Sequence, residues 1–287
     1  HLAVLKAYME AEGSLPINVK VCIEGEEEIG SENLYDILQA KKELFQADLV
    51  VISDSGMVAK NQPTILYGLK GFTGIEINVK GPDQDLHSGL YGGAVRNPLM
   101  ALAHILSSMK NEDEVVLVDG FYDGVEDLTE EERALIAAVK GENYEETTGV
   151  KETVSEKGYD AKEHTMARPT FEINGLYGGY QGEGSKTIIP ATATAKITCR
   201  LVPGQDPDHI QQLLKEHVDK VAPSGVEVEV HLEKLSSKAY KVAPDHPYIQ
   251  LAATCYEKAF EKEAVFVRMG GSIPVVEWLD EIYQIPI

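Results

Sequence analysis

The chain has few basic residues, few cysteines and no long apolar run. Lysine and arginine together number 26 against 47 aspartates and glutamates, so the 287 residues carry a formal net charge of -21. Nucleic acids and anionic membranes bind proteins through a basic face, and this charge argues against both as partners. No stretch reaches the ~18 uninterrupted apolar residues of a membrane span. These observations favour a protein that acts on small molecules.

The three cysteines, Cys22, Cys199 and Cys255, are widely spaced, and each lies in an apolar segment. An odd number at such spacing does not suit a framework of disulfides. We therefore expect buried, reduced thiols. Reduced thiols favour the cytoplasm, where the redox conditions maintain them.

The order of helical and extended patterns predicts an α/β domain that is split along the chain. Residues 1–70 alternate helix and strand, with strands expected over 17–23 and 47–53. Both strands are nearly continuous apolar runs, which are typical of a mainly parallel sheet with helices on both faces. After Pro247 an amphipathic helix and a final strand indicate that the same domain resumes over 241–287.

Residues 71–240 follow a different pattern and predict an inserted domain. Ile75, Ile77 and Val79 alternate with polar residues, which indicates a strand with one open face. The other expected elements are helices over 97–108 and 207–220 and a strand over 226–232. Two strand-helix-strand units predict a ferredoxin-like α+β sandwich, interrupted by an acidic and mainly helical insertion near 111–165.

Four glutamates crowd the stretch CIEGEEEIGS, directly after the first predicted strand. Such a run is most often a solvated face. Its place at the carboxyl end of a strand, between Gly25 and Gly30, suits a binding site instead. In extended backbone, neighbouring side chains point in opposite directions, so one glutamate can bind a metal while the next faces a substrate as general base. A metal cation would also offset the repulsion among the acids.

Further candidates for chemistry lie in short polar motifs. Asp54, in ISDSG, follows the second predicted strand and is either a metal ligand or a turn-forming aspartate. His87, in DLHSGLYGG, has glycines around it that leave it open to a partner. Arg200 lies on the polar face of a strand, where it forms either a surface salt bridge or a clamp for a carboxylate. The glycine-rich stretches 182–190 and 268–275 are candidate turns.

Taken together and in order, seven motifs resemble the M20 family of metallopeptidases, especially its carnosine-dipeptidase-like branch. The motifs are EGEEEIGSE, ISDSG, YGLKG, DLHSGLYGG, GEGSKTIIP, RLVP and GGSIPV. The resemblance implies a catalytic domain over 1–70 and 241–287 and a lid or dimerisation domain over 71–240. It implies a homodimeric hydrolase of dipeptides or short peptides with a free C-terminal carboxylate. The alternatives are a deacylase of N-acyl amino acids and, in a different class, a non-catalytic dimer module with an incomplete metal site.

The resemblance also assigns roles to individual residues. Glu27 matches the general base, and Glu28 and Asp54 match metal ligands. Two divalent ions, zinc first and manganese as the alternative, would share a bridging water that Glu27 activates. His87 matches a lid histidine that reaches across the dimer into the other subunit's site. The groups that hold the substrate's C-terminal carboxylate or backbone are matched by Thr187, Arg200 and Ser272.

Part of the family pattern has no match in this sequence. The His-x-Asp motif, the metal-bridging aspartate and the last histidine ligand are not found in it, and Met269 stands where a glutamate is expected. We therefore expect an internal fragment of a longer protein, inactive by itself.

Overall fold

The computed structural model describes residues 1–140 and 143–287, so Gly141 and Glu142 of the predicted insertion lie outside the described residues. The helices are α1 (Leu2–Glu12), α2 (Leu34–Ala40), α3 (Lys42–Phe45), α4 (Ser88–Tyr91), α5 (Pro98–Met109), α6 (Glu130–Ala138), α7 (Tyr144–Thr148), α8 (Ala161–Ala167), α9 (Pro207–Val221), α10 (Pro247–Phe260) and α11 (Pro274–Tyr283). The strands are β1 (Thr64–Leu69), β2 (Gly71–Lys80), β3 (Leu86–His87), β4 (Thr170–Gly178), β5 (Ile188–Ile189), β6 (Thr192–Leu201), β7 (Glu227–Leu232), β8 (Tyr240–Lys241) and β9 (Val265–Met269). None of these described helices is both long enough and apolar enough to cross a bilayer.

The chain divides into two units. The first is formed by His1–Ile52 and Trp278–Ile287, and the second by Ser53–Glu277. The division of the chain at residues 70 and 240 stays a prediction.

The main sheet of the second unit has four strands in the order β4-β6-β2-β7. All three of its pairings are antiparallel. Along the chain, α5 lies between β2 and β4, and α9 lies between β6 and β7. Two strand-helix-strand units that interleave in this order form the ferredoxin-like arrangement, so that prediction is confirmed.

One face of this sheet is buried beneath α5 and α9. Ile77 of β2, Leu102 of α5 and Leu214 of α9 are all 0% exposed and belong to one apolar cluster. Both helices begin in the same way, with a capping side chain followed by proline. Asn97 accepts a hydrogen bond from a backbone N–H of the first turn of α5, and Asp206 does so for α9. Local capping and apolar periodicity thus agree, as the sequence patterns predict.

The described part of the insertion contains three short helices, α6, α7 and α8, which cover less than half of 111–165, so the mainly helical character predicted for it is only partly present. Thr129 and Asp160 form capping boxes at the starts of α6 and α8, each with a glutamate three residues later. Ile136 of α6 and Met166 of α8 pack in a buried cluster with Val267 of β9. The insertion is therefore folded onto the small sheet that contains β9.

That small sheet has the order β8-β1-β9. β1 and β9 pair in parallel, whereas β1 and β8 pair in antiparallel fashion. α10 packs on β1 through a cluster that includes Ile65 and Ile249. The helix predicted after Pro247 is confirmed as α10, and β9 follows it. The apolar, strand-like run that ends the chain, over 283–287, is not a strand in the structure. The α/β character of the fold is present. The sheet is mixed and smaller than expected, because two predicted strands do not join it.

Those two strands, over 17–23 and 47–53, are wrong as predictions. Neither segment is a strand in the structure. Ile23 is 81% exposed and Val51 is 72% exposed. A strand needs a neighbour about 4.8 Å away that completes its hydrogen bonds, and the apolar pattern predicts only a preference for burial. The expected burial of the cysteines fails for a related reason, since Cys22 lies in the first segment and is exposed.

Cys255 is exposed as well, and Cys199 is buried within β6; all three cysteines are free. The expectation of burial therefore holds for Cys199 alone. Its burial raises the pKa of the thiol, which keeps that cysteine in the unreactive protonated form.

Candidate functional site

The acidic loop contains glutamates with two different kinds of surroundings. Glu24 accepts a hydrogen bond of 2.7 Å from Ser31 Oγ, and both carboxylate oxygens of Glu26 accept from Asn33 Nδ2 at 2.9 and 3.0 Å. Among the described residues, no side-chain hydrogen bond or ion pair reaches Glu27 or Glu28, and both are exposed. Glu24 and Glu26 thus hold the loop together, and the two predicted site residues stay accessible.

The backbone that carries Glu27 and Glu28 is a turn of 3-10 helix, Glu27–Ile29, and not an extended chain. Gly30 ends it in the left-handed region at φ 94°, where glycine pays no steric penalty. The argument from extended backbone is therefore wrong. Neighbouring side chains still diverge, because a 3-10 helix turns by about 120° per residue.

Asp54 is exposed in a stretch that forms neither helix nor strand. Carboxylate oxygens such as those of Glu28 and Asp54 suit divalent cations. Within residues 1–140 and 143–287, however, no group of three or more His, Cys, Asp or Glu side chains is placed to hold a metal ion. A zinc site needs about four ligands. The described residues therefore do not form a metal site by themselves.

His87 and Thr187, two predicted site residues a hundred positions apart, lie together. β3 pairs with β5, and His87 is opposite Ile188. His87 Nδ1 accepts a hydrogen bond of 3.0 Å from the backbone N–H of Gly89, and its Nε2 lies 3.5 Å from Thr187 Oγ1. A neutral ring whose Nδ1 accepts carries its proton on Nε2. The exposed histidine can therefore donate a hydrogen bond from Nε2.

Arg200 and Ser272 form the second pair of predicted residues that the fold brings together. Arg200 Nη1 donates a hydrogen bond of 2.9 Å to Ser272 Oγ across 72 residues of sequence. The guanidinium also lies over the ring of Phe72, 5.2 Å from its centroid, so its stem and plane are held in place. Arg200 is half-buried, and the described residues offer it no ion pair with a carboxylate. The alternative of a surface salt bridge is therefore absent from this part of the chain.

Lys70 is a buried amine beside this pair that sequence reasoning did not select. It lies between β1 and β2 and is 2% exposed. Its Nζ donates a hydrogen bond of 3.0 Å to the backbone oxygen of His164. Burial, reinforced by the charges of Arg268, Arg200 and Arg168, lowers the pKa of Lys70 to about 7. The motif YGLKG contained this lysine, but its burial has no signal in a single sequence.

The other two arginines near Lys70 have carboxylate partners. Arg168 binds both oxygens of Glu156 at 2.8 and 3.0 Å. Arg268 lies 3.6 Å from Glu132. Arg200 and Lys70 differ from them, because among the described residues neither has a carboxylate partner. Arg200, and Lys70 in its protonated form, therefore leave this region with uncompensated positive charge that favours an anion.

Comparison with known proteins identifies the family to which this chain belongs. The family model described as the peptidase dimerisation domain of M20 matches residues 67–226, more than half of the chain. The chain belongs to the M20 peptidase family. The resemblance predicted from the motifs is therefore confirmed, and the matched region contains His87, Thr187 and Arg200.

The relatives support the carnosine-dipeptidase-like branch. The chain is 32% identical over 280 residues to the Cys-Gly metallodipeptidase dug1 of Schizosaccharomyces pombe, with 96% of this chain and 59% of that protein covered. It is 30% identical to the human Beta-Ala-His dipeptidase, over 97% of this chain and 56% of that protein. The chain thus spans about three fifths of the length of these M20 relatives.

Solved M20 structures show the same fold. The metallo-carboxypeptidase Sso-CP2 of Sulfolobus solfataricus has a TM-score of 0.84 and 32% identity, covering 99% of this chain and 64% of that one. Human carnosine dipeptidase 1 has a TM-score of 0.79 and 30% identity, covering 98% of this chain and 61% of that one. These M20 enzymes therefore share the architecture of both units.

Proposed function

We propose that the protein containing this chain is a metal-dependent dipeptidase that acts on short peptides with a free C-terminal carboxylate. The observation that supports this most directly is the pair formed by Arg200 and Ser272. A half-buried guanidinium, held by a hydroxyl and an aromatic ring and without a carboxylate partner in the described residues, is suited to an anionic group. The similar M20 proteins include a Cys-Gly metallodipeptidase and a Beta-Ala-His dipeptidase, which agrees with such a substrate.

In this proposal Arg200 and Ser272 bind the terminal carboxylate of the substrate. Arginine binds a carboxylate with two parallel N–H···O bonds, which adds both energy and orientation. Thr187 contributes a hydroxyl for the substrate backbone. His87 donates from Nε2 to the oxyanion that forms on the attacked carbonyl, a contact worth roughly 2.7–4 kcal/mol of the barrier.

The remaining roles rest on the family resemblance. Glu27 acts as general base toward the attacking water, and Glu28 and Asp54 are metal ligands. Two divalent ions, zinc or manganese, are proposed as cofactors. They are proposed for the whole protein, because the described residues do not complete a metal site by themselves. The cytoplasmic location also stays a prediction, for which the unpaired cysteines are the support.

The carboxylate site can be tested by changing Arg200 to lysine in the full-length protein. Arg200→Lys keeps the charge but loses the bidentate geometry, so kcat/KM for free-acid dipeptides should fall by an amount worth roughly 1.5–3 kcal/mol. C-terminally amidated dipeptides should lose far less. Arg96→Lys is a control at an exposed arginine that lies outside the Arg200–Ser272 pair. Equal losses on free-acid and amidated substrates would refute the carboxylate role.

The role of His87 in a dimer can be tested by mixing two inactive variants. We propose that His87 serves the site of the second subunit, because it lies in the region matched by the dimerisation domain. His87→Ala and Glu27→Gln should each be inactive alone, and exchange of subunits should restore activity in one site of each heterodimer. Free exchange without any recovery would contradict a role across the dimer.

The same substrates separate the alternatives. A deacylase of N-acyl amino acids also needs a carboxylate site, but it would prefer acylated amino acids to dipeptides with a free amine. A non-catalytic dimer module would hydrolyse neither class, even in the full-length, metal-loaded protein. Hydrolysis of free dipeptides supports the proposal, and the absence of any hydrolysis favours the module.

A further inference from the structure

A cavity of about 350 Å³ opens in the second unit, beside the predicted site residues. Its floor contains Met166 of α8 and Val267 of β9, which are 8% and 4% exposed. Met57, on its rim, is 47% exposed. A buried floor and an exposed rim make this a pocket that a ligand can enter from solvent. Its size is within the range of ligand-binding pockets, roughly 300–1,000 Å³.

The walls of this cavity continue directly from two segments of the proposed site. Residues 55–58 line it, and Ser55 follows Asp54, the proposed metal ligand. Gly270 also lines it, two residues before Ser272, which binds Arg200. A dipeptide is only about 7 Å long between its ends, because each residue extends the chain by at most ~3.6 Å. A peptide held by the proposed site therefore has its side chains within reach of this cavity.

The lining of the cavity is suited to an apolar side chain. Met57, Met166 and Met269 supply flexible, polarizable surface, which adapts to ligands of different shapes. Among the described lining residues Arg268 is the one charged side chain, and it is paired with Glu132 at 3.6 Å. The charge is therefore already compensated and offers little to a charged ligand.

Four hydroxyl-bearing residues line the cavity: Ser55, Thr64, Tyr144 and Thr165. Thr64 Oγ1 accepts a hydrogen bond of 3.1 Å from the Val58 N–H and donates one of 3.0 Å to the Gln62 oxygen, and Ser55 is exposed to solvent. Tyr144 Oη and Thr165 Oγ1 lie 2.9 Å apart, within hydrogen-bonding distance. Because they satisfy each other, neither hydroxyl needs a polar group from a ligand. Selection in this pocket would therefore depend mainly on the size and apolar area of the side chain.

We infer that this cavity binds an apolar side chain of the peptide substrate and that Met57, Val58 and Met166 set the preference for its size. This inference rests on the proposed dipeptidase function. Complete burial of a leucine-sized side chain should favour such a substrate over its glycine counterpart by roughly 10- to 150-fold in kcat/KM. Either residue of the dipeptide can supply that side chain.

The test compares Leu-Gly, Gly-Leu and Gly-Gly on the full-length, metal-loaded protein. Val58→Phe replaces a small aliphatic side chain by an aromatic ring and so reduces the volume of the cavity. Met57→Phe reduces the cavity volume from the exposed rim and serves as a second variant if Val58→Phe folds poorly. Val154→Phe is the matched control, because Val154 is 67% exposed and does not line the cavity. Each cavity variant should lower the preference for one of the leucine dipeptides about tenfold or more and leave Gly-Gly nearly unchanged.

A binding measurement separates failure of the pocket from failure of the proposed function. Calorimetric titration with free L-leucine and with glycine requires no hydrolysis. If no dipeptide is hydrolysed but leucine binds, and only the cavity variants lose that binding, the pocket stands without the dipeptidase function. If hydrolysis occurs but the cavity variants change kcat/KM equally for leucine and glycine substrates, as is expected of Val154→Phe, the pocket inference is overturned. Absence of leucine binding together with absence of hydrolysis also overturns it.

Discussion

The buried lysine, Lys70, should make the stability of this protein depend on pH in a specific direction. Its pKa is lowered from the ordinary value of 10.5 to about 7, first by burial and then by Arg268, Arg200 and Arg168. Between these two values the unfolded chain binds a proton that the folded chain does not bind. The free energy of unfolding therefore rises with pH across this window. The destabilisation is fully present below pH 7 and disappears above pH 10.5.

The magnitude follows from the same pKa values. The difference between 10.5 and about 7 corresponds to roughly 5 kcal/mol at low pH, since each pKa unit is worth 1.36 kcal/mol. Between pH 7 and pH 9.5 the penalty should shrink by roughly 3 kcal/mol. Lys70→Met removes the charge and keeps an unbranched side chain. It also loses the hydrogen bond to the His164 carbonyl, which offsets about 1 kcal/mol of the gain.

The assay is urea unfolding of the parent and of Lys70→Met, followed by circular dichroism at several pH values from 7 to 9.5. The variant should be the more stable protein at pH 7, and its advantage should decline steadily toward pH 9.5. Lys60→Met is the control at an exposed lysine, and its stability difference from the parent should be small and flat. A pH-independent difference for Lys70→Met, or a less stable variant at pH 7, would refute the reasoning.

Two further predictions concern stability alone and can be measured by urea or thermal unfolding. Glu156→Gln should cost about 3 kcal/mol, because it removes the carboxylate that binds the buried Arg168 at 2.8 and 3.0 Å and leaves the exposed Asp127, 3.9 Å away, as the remaining partner among the described residues; a loss below about 0.5 kcal/mol would show that the pair contributes little. Gly204→Ala should destabilise by roughly 2 kcal/mol or more, because Gly204 has φ +96° and an added Cβ would collide with the backbone of Gly124. Gly149→Ala, at φ +76° with open space around the site, should cost only about 1 kcal/mol, and equal effects would exclude the collision as a cause.

Local signals in the sequence were sufficient for much of the fold. The helix expected over 207–220 is Pro207–Val221, and the strand expected over 226–232 is Glu227–Leu232. Capping residues, proline at the first helical position and apolar periodicity act over a few residues, so a single sequence contains them. The alternation at Ile75, Ile77 and Val79 likewise predicted the half-buried sheet. The seven motifs, taken in order, were sufficient to predict the M20 family.

The tertiary structure decided what depends on distant residues. The same apolar pattern that marks a true strand failed over 17–23 and 47–53, because a strand exists only if a neighbour completes its hydrogen bonds. The contact between Arg200 and Ser272 joins β6 to the segment that follows β9. These two strands belong to different sheets, and no local pattern links them. Lys70 reads as an ordinary lysine, and its lowered pKa arises only where folding removes water and gathers three arginines around it. Ladder pairing, desolvation and electrostatic interaction all depend on distance in space, which the order of residues does not specify.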